Sequence, residues 1–236
     1  PKNYSLCLSK RALEALIRQI RETGMVSIDT ETTSTNPFKA KLVGISFSCE
    51  EGKATYLPLA HLYLGAPSQL DWQEALELLR DVLEDKKILK VGQNIKYDAE
   101  VLKRHGVALK GIHFDTMIAS YVINPGLRQH NLDYLAQHFL NHKMISYKEV
   151  VGKGKNASNF SEVDVEAAMA YSCEDADITL RLWKILGEKL KSDKNESLFY
   201  DLEMKLLPVL MDMEMTGVKI DVGFFQQMST RFSRQI

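Results

Sequence analysis

The chain has 236 residues, of which 45% are hydrophobic and 26% are charged, and its formal net charge at pH 7 is −1. This length and composition can bury one sizeable core with an additional segment, and no apolar run is long enough for a membrane helix or shaped like a signal peptide. The near-neutral charge disfavours a dedicated duplex-binding module, which is usually basic.

Hydrophobic periodicity predicts strands mainly in the first half of the chain and helices mainly in the second half. The predicted strands are Tyr4–Leu8, Met25–Thr30, Lys41–Ser48, Ala54–Leu59, Ile88–Val91 and Ile112–Phe114. The predicted helices are Lys10–Glu22, Asp71–Leu83, Ile95–His105, Asp115–Ile123, Asn131–Phe139 and Val163–Leu190. This order indicates an α/β domain whose mixed sheet is covered by helices on both faces.

A polar stretch, Lys191–Ser197, predicts a domain boundary, with one domain over residues 1–192 and a second piece over 193–236. The second piece carries an apolar stripe with a spacing of four, which needs a partner to cover it. Its members are Leu198, Leu202, Leu206 and Leu210. Pro208 interrupts the stripe and is expected to kink or restart the helix.

The first pair of candidate site residues lies in Met25–Thr32, which reads Met-Val-Ser-Ile-Asp-Thr-Glu-Thr. On a strand, residues two apart face the same side, so Asp29 and Glu31 should point together from the carboxyl end of the strand while Thr30 faces away. Two acids here suit a metal site, although a solvated strand end or a helix cap would also accommodate an isolated Asp-x-Glu pair.

A third acid, Asp98, ends the segment Gly92–Asp98, which reads Gly-Gln-Asn-Ile-Lys-Tyr-Asp. Asn94 is a good N-cap residue for the helix that follows, and Asp98 lies one turn beyond it. The local sequence leaves two interpretations open: Asp98 binds a metal, or it stabilises the positive end of the helix dipole.

A fourth acid, Asp175, follows Tyr171 by four residues in a strongly helical stretch, so the two side chains share a helix face. In that arrangement the carboxylate would bind a metal and the phenol would orient a water molecule. Glu174 and Asp177 point in other directions and are interpreted as solvated charges.

Four acids that converge on one point repel each other unless cations neutralise them. Their hard oxygen atoms favour Mg²⁺ or Mn²⁺, and two such ions close together cleave phosphodiesters in many enzymes. The sequence therefore indicates a metal-dependent nuclease.

These segments resemble the three exonuclease motifs of the 3′-5′ proofreading domain of bacterial DNA polymerase I, in the type with tyrosine in the third motif. The similarity covers essentially the whole chain. It includes Leu42–Phe47, Lys90–Asn94, Phe114–Met117, Gly152–Asn156, Glu174–Asp177, Glu203–Leu210 and Thr216–Asp221. The absence of an initiating methionine and the end at Ile236 lead us to expect a piece of a longer polymerase.

The resemblance implies a ribonuclease-H-like fold, with a C-terminal helical piece from the start of the polymerase thumb. It implies a metal-dependent 3′-to-5′ exonuclease that hydrolyses the terminal phosphodiester of single-stranded or frayed DNA and releases nucleoside 5′-monophosphates. The implied partner is the polymerase domain of the same parent chain, and we expect a monomer without membrane association. Three widely spaced cysteines, Cys7, Cys49 and Cys173, are consistent with reduced thiols in a bacterial cytoplasm.

The resemblance also implies two divalent cations, with Mg²⁺ preferred and Mn²⁺ or Zn²⁺ as alternatives. Asp29, Glu31 and Asp175 would bind the first cation, and Asp29 with Asp98 would bind the second. Tyr171 and Glu31 would orient the attacking water.

The implied DNA contacts are Gln93, Asn94 and Tyr97 at the terminal nucleotides and Tyr147 stacked on a base. Two positions depart from the family pattern. Thr35 stands where a leucine usually contacts the terminal base, and Gln129 stands where the family has an arginine.

Three interpretations stay open at this stage. Lys153 and Lys155, in a glycine-rich stretch, are either phosphate contacts or part of a solvated loop. The enzyme could instead be a tyrosine-type ribonuclease of the same superfamily that trims RNA 3′ ends. The domain could also be a catalytically idle scaffold that braces a polymerase, although intact acids at all four positions disfavour that.

Overall fold

A mixed six-stranded sheet forms the centre of the part that the computed structural model describes, residues 2–152 and 159–235. The spatial order is β1-β4-β3-β2-β5-β6. The strands are β1 (Asn3–Leu6), β2 (Met25–Thr32), β3 (Leu42–Glu50), β4 (Lys53–Pro58), β5 (Leu89–Gly92) and β6 (Ile112–Asp115). Strand β3 is antiparallel to β2 and β4, while β1–β4, β2–β5 and β5–β6 are parallel pairs.

Helices surround the sheet and continue past it. They are α1 (Lys10–Thr23), α2 (Trp72–Leu83), α3 (Ile95–Arg104), α4 (Thr116–Ile123), α5 (Leu132–Leu140), α6 (Tyr147–Val151), α7 (Val165–Ser192), α8 (Met204–Thr216) and α9 (Val222–Ser233). A 3₁₀ turn covers Phe160–Glu162, and a π-helical segment covers Leu198–Glu203. The elements predicted from sequence are present within a few residues. Helix α6 was not predicted, because five residues are too few for a periodic signal.

The two faces of the sheet carry different helices. Val26 and Ile28 of β2 belong to an apolar cluster with α1, α2 and α3, whereas Met25 packs against the cluster of α4, α5 and α7. Successive strand residues face opposite sides, so Asp29 and Glu31 share the α7 face and Thr30 shares the α3 face. Strand β2 thus lies between the two helices that carry the other predicted acids.

The interpretation of Glu174 as a solvated charge is wrong. Its carboxylate is buried, with a relative exposure of 1%. It accepts hydrogen bonds from Lys2 Nζ and from the backbone N–H of Ile145 at 2.6 Å, and it bonds His142 Nε2 at 2.9 Å. These partners lie at least 29 residues away in sequence, so local pattern could not reveal them.

Asp177 was also misassigned to solvent. Its side chain is fully buried and accepts two hydrogen bonds from Arg181, at 3.0 and 2.7 Å. It also accepts hydrogen bonds from the Tyr4 hydroxyl at 2.9 Å and the Gly52 backbone N–H at 2.8 Å. Both acids therefore attach α7 to the rest of the domain, which fixes the helix that carries Tyr171 and Asp175.

The apolar stripe of the C-terminal piece faces solvent in this chain. Leu202 is 55% exposed, and the buried positions are Phe199 and Leu207, one residue after stripe members. Pro208 lies inside α8, four residues after the point where the π-helical segment ends and α8 begins at Met204. This position is consistent with a restarted helix, because proline cannot donate to the carbonyl four residues before it. None of the described helices is long and apolar enough to cross a membrane.

Candidate active site

A cavity of about 570 Å³ opens where β2, α3 and α7 meet. Every site residue predicted from the sequence lines it, although their roles remain predictions. The lining includes Asp29, Glu31, Thr35, Gln93, Asn94, Tyr97, Asp98, Tyr147, Tyr171 and Asp175. The residues come from four separate segments of the chain, so the fold alone brings them together.

Strand pairing orients the first two acids. Asp29 lies opposite Ser46 and Glu31 lies opposite Gly44 in the antiparallel β2–β3 pair. The strand continues to Thr32, two residues past the predicted end at Thr30, so Glu31 lies within it as Asp29 does. One ligand oxygen each from Asp29, Glu31 and Asp175 lies within 4.8 Å of the others. Two of these acids come from strand β2 and the third from helix α7, which packs against that strand.

Asp98 approaches from the opposite face of the sheet. Its Oδ1 accepts hydrogen bonds from the Thr30 backbone N–H at 2.9 Å and from Thr30 Oγ1 at 2.6 Å. The prediction that Thr30 points away from Asp29 and Glu31 agrees with this contact. Asp98 does lie in the first turn of α3, but its hydrogen bonds go to β2. The first-turn position fits the helix-dipole interpretation, and the contact with β2 places Asp98 at the cavity, so both interpretations stay open.

Asn94 does not cap α3 through its side chain, which corrects the prediction. Its backbone is left-handed, with φ of 57°, and it makes no side-chain capping bond. The carboxylate of Asp115 takes that role, because it accepts hydrogen bonds from the backbone N–H groups of Asn94 at 3.2 Å and Ile95 at 2.8 Å. Asp115 also caps α4 through Met117 and Ile118. An acid immediately before a helix is a typical cap signal, but nothing local indicates that it serves two helices.

The four candidate metal ligands are buried close together, so their ionised forms repel one another. Burial, then repulsion by neighbouring acids, raises the pKa of Asp29, Asp98 and Asp175 well above the ordinary value. Burial raises the pKa of Glu31 to about 7, against the opposing effect of its hydrogen bond from Ser172. In the described part of the chain, no lysine, arginine or histidine forms an ion pair with any of the four. Oxygen donors with this much unbalanced charge fit hard divalent cations.

The metal-free protein is expected to lose stability as the pH rises towards the pKa of Glu31. Because that pKa is about 7 in the folded state and 4.5 for a free side chain, the folded state binds the proton more tightly. The stabilisation is complete below about pH 4 and is lost as the pH rises through about 7. In EDTA, the free energy of unfolding of Glu31→Gln relative to wild type should increase by about 3 kcal/mol between pH 4 and 8. Urea denaturation measures this difference, and a constant difference across the range would contradict the assignment.

Tyr171 presents a neutral phenol at the edge of the acid cluster. Burial, and then the negative charges of Asp175, Glu31 and Asp29, raise the pKa of Tyr171 far above its ordinary value. The hydroxyl therefore keeps its proton throughout the physiological range and acts as a hydrogen-bond donor, not as a base. The ring packs edge-on to Tyr147, with centroids 6.2 Å apart.

The candidate DNA contacts fall into two groups. Asn94 and Thr35 are exposed at the rim, and Tyr147 is 48% exposed and stacks on Phe160. The side chains of the second group already have internal partners. Gln93 Nε2 donates to the His130 carbonyl at 2.9 Å, and the Tyr97 hydroxyl donates to the Ser34 carbonyl. Lys153 and Lys155 lie outside the described residues, so their interpretation stays open.

Sequence reasoning missed the residues that support the acids. Ser172 Oγ donates to Glu31 Oε1 at 2.6 Å. The backbone N–H and the hydroxyl of Thr30 both donate to Asp98 Oδ1. Phe160 lies beneath both Tyr147 and Tyr171. The adjacency of Ser172 to Tyr171 in sequence is the only local signal for its role, and it does not specify the partner.

The sequence is similar to known nucleases and polymerases. Residues 4–191 match a family described as 3′-5′ exonuclease. DNA polymerase I of Pseudomonas aeruginosa is 40% identical over 224 residues, which cover 94% of this chain and 24% of that protein. The chain therefore spans about a quarter of the length of the curated relatives it matches.

Solved structures share the fold. The M. smegmatis Pol1 complex with DNA primer-template and dNTP superposes with a TM-score of 0.77 at 20% identity, covering 98% of this chain and 35% of that one. Escherichia coli RNase D, an exoribonuclease involved in structured RNA processing, gives 0.68 at 17% identity, covering 89% of this chain and 51% of that one. The mixed sheet with flanking helices is thus similar to ribonuclease-H-like exonuclease folds.

Proposed function

This chain belongs to the 3′-5′ exonuclease family found in DNA polymerase I, and we propose that it removes nucleotides from the 3′ end of single-stranded or frayed DNA as a proofreading activity. The main support for this proposal is that one carboxylate oxygen each from Asp29, Glu31 and Asp175 lies within 4.8 Å of the others. Asp98 and the neutral phenol of Tyr171 line the same cavity.

Two divalent cations suit the oxygen donors of this cavity. We assign one to Asp29, Glu31 and Asp175, and the other to Asp29 and Asp98. When bound, the cations supply an activated water and neutralise the charge that develops on the leaving 3′-oxygen. Mg²⁺ is preferred because it binds carboxylate oxygen and retains waters, with Mn²⁺ or Zn²⁺ as alternatives.

The protein's own groups align the reaction. Tyr171 donates its phenol proton in a hydrogen bond to the attacking water, and Glu31 accepts a hydrogen bond from the same water. Together they direct a lone pair of the water at the phosphorus atom. Tyr147 provides an aromatic surface on which a base can stack. The strained left-handed backbone at Asn94, fixed by Asp115, points the exposed Asn94 side chain into the cavity, where it can hold the terminal nucleotide.

The substrate follows from the relatives and from the shape of the site. The curated relatives are DNA polymerases, and this chain matches them over most of its length, so DNA is favoured over RNA. The acids are recessed in a cavity, so a terminal base must leave the duplex to reach them. Single-stranded and frayed ends should therefore be cut faster than paired ends.

The same relatives suggest what accompanies this domain. We infer that residues 193–236 begin the polymerase region, with α8 and α9 as the first thumb helices, and that the polymerase domain of the parent chain is the partner. A monomer in the bacterial cytoplasm is consistent with this assignment.

A comparison of DNA and RNA oligonucleotides of identical sequence tests the substrate. With Mg²⁺ and single-turnover conditions, the DNA strand should be shortened from its 3′ end at least about tenfold faster than the RNA strand, which corresponds to about 1.4 kcal/mol. Preferred digestion of the RNA strand would instead support the RNA-trimming ribonuclease. Digestion of neither, under conditions where the protein is folded, would support an idle scaffold.

Thr35→Leu is expected to tighten the binding of single-stranded DNA ends. The exposed threonine lies on the cavity rim, and leucine would bury roughly 40 Å² more apolar surface against the terminal base, worth about 1 kcal/mol. Fluorescence anisotropy of a labelled oligonucleotide measures the effect, with Asp98→Ala in both proteins to prevent cleavage. Thr216→Leu, at an exposed position outside the cavity, is the control. Unchanged or weaker binding would show that residue 35 does not contact that base.

A further inference from the structure

The hydroxyl of Ser172 makes an unusual contact for a helical serine. A serine inside a helix commonly donates to a backbone carbonyl of the preceding turn. Ser172 Oγ instead donates across to strand β2, reaching Glu31 Oε1 at 2.6 Å. Both residues are buried, with relative exposures of 0% and 7%. The contact therefore fixes the rotation of the Glu31 carboxylate in a tightly packed environment.

Asp98 is held in the same way. Its Oδ1 accepts two hydrogen bonds from Thr30, at 2.9 and 2.6 Å. In the described part of the chain, hydrogen bonds reach one oxygen of Glu31 and one oxygen of Asp98, and the other oxygen of each has no such partner. Each of these carboxylates consequently presents a single free oxygen.

This asymmetry matters for the choice of cation. Mg²⁺ requires near-octahedral geometry and takes one oxygen from each carboxylate, whereas Ca²⁺ accepts six to eight oxygens and often uses both oxygens of one carboxylate. A carboxylate oxygen that accepts a short hydrogen bond has one of its two lone pairs occupied and its rotation restricted, so it is a poorer second ligand for a cation that binds through both oxygens.

We propose that Ser172 is a metal-selectivity residue, whose hydroxyl keeps Glu31 in one-oxygen coordination and thereby disfavours Ca²⁺ relative to Mg²⁺. The proposal rests on the proposed function, because it takes Glu31 as a ligand of the first cation. Thr30 acts similarly on Asp98. Ser172 is the better residue to test, because the Thr30 backbone N–H would remain after any substitution.

Isothermal titration calorimetry of the metal-stripped protein with Mg²⁺ and with Ca²⁺, without DNA, tests this proposal. The ratio of the Ca²⁺ to the Mg²⁺ dissociation constant should fall about tenfold in Ser172→Ala, the equivalent of one charge-assisted hydrogen bond. Ser48→Ala is the matched control. Ser48 is also buried on this sheet, and its hydroxyl donates to the backbone carbonyls of Glu50 and Lys53 and to no candidate ligand, so its removal should leave the ratio unchanged.

A second variant, Ser172→Cys, retains nearly the original side-chain volume and has only a weak donor, so it should also lower the ratio even if the smaller alanine loosens α7. An unchanged ratio in Ser172→Cys, or equal weakening of both ions, would overturn the proposal. These outcomes differ from failure of the proposed function. In that case the wild-type protein would bind neither ion at the acid cluster, and Asp175→Asn would not alter the titration.

Discussion

Asp175→Asn is expected to reduce exonuclease activity by about 10³-fold or more while making the metal-free protein more stable. The substitution removes a ligand charge from the cation site, where such interactions are worth several kcal/mol, and each 1.36 kcal/mol is a tenfold change in rate. It also removes one of several buried like charges, because repulsion from Asp29 and Glu31 contributes to the raised pKa of Asp175. The gain in the free energy of unfolding in EDTA should be on the order of 1 kcal/mol.

The measurement is single-turnover digestion of a labelled single-stranded oligonucleotide, combined with urea denaturation in EDTA. Glu188→Gln is a suitable control, because Glu188 lies on the same helix, α7, and is exposed. It should change neither quantity appreciably. Wild-type cleavage by Asp175→Asn would refute the assignment of this acid. If Asp175→Asn were less stable than wild type in EDTA, the Asp175 carboxylate would stabilise the fold and would not destabilise it through repulsion.

Tyr171→Phe is expected to slow the chemical step by roughly 10²–10⁴-fold, the usual range for a positioned hydrogen-bonding or proton-transferring group. The ring and its contacts with Tyr147 and Phe160 remain, so the fold and cation affinity should be unchanged. Because the pKa of Tyr171 is raised far above the physiological range, the pH dependence of the residual rate should match that of wild type. Tyr121→Phe, at an exposed position outside the acid cavity, controls for loss of a hydroxyl.

Single-turnover rates at saturating Mg²⁺ distinguish the possible outcomes for Tyr171→Phe. A rate equal to wild type would show that the hydroxyl does not orient the water. A rate restored by excess Mg²⁺ would instead assign the hydroxyl to cation binding through Asp175.

Side chains alternate between the two sides of a strand and recur on the same face of a helix after about one turn. These two rules were sufficient to predict the relative directions of the main acids. Asp29 and Glu31 do share one side of β2, and Tyr171 precedes Asp175 by one turn of α7. The extension of β2 to Thr32 was not predictable, because acidic residues are poor strand formers and only pairing with β3 defines the strand there.

The features that the sequence did not predict depend on contacts between segments that are distant along the chain. Glu174 and Asp177 looked like solvated charges because acids are rarely buried without partners. The partners of Glu174, and Tyr4 and Gly52 for Asp177, lie far away in sequence, although Arg181 follows Asp177 by four residues on α7. Likewise, Asp115 replaces Asn94 as the cap of α3 because the fold brings β6 beside it. The leucine spacing in the C-terminal piece identified a helix, but only packing decides that Phe199 and Leu207 are the buried positions.

Digestion of a 5′-labelled single-stranded DNA oligonucleotide during Mg²⁺ titration of the metal-stripped protein tests the central claim most directly. The acid cluster predicts no cleavage in EDTA and a rate that rises with Mg²⁺ to saturation. The labelled strand should be shortened in steps of one nucleotide, with release of nucleoside 5′-monophosphates. Cleavage that persists in EDTA, immediate release of a labelled mononucleotide from the 5′ end, or a folded protein that remains inactive at all Mg²⁺ concentrations would contradict the account.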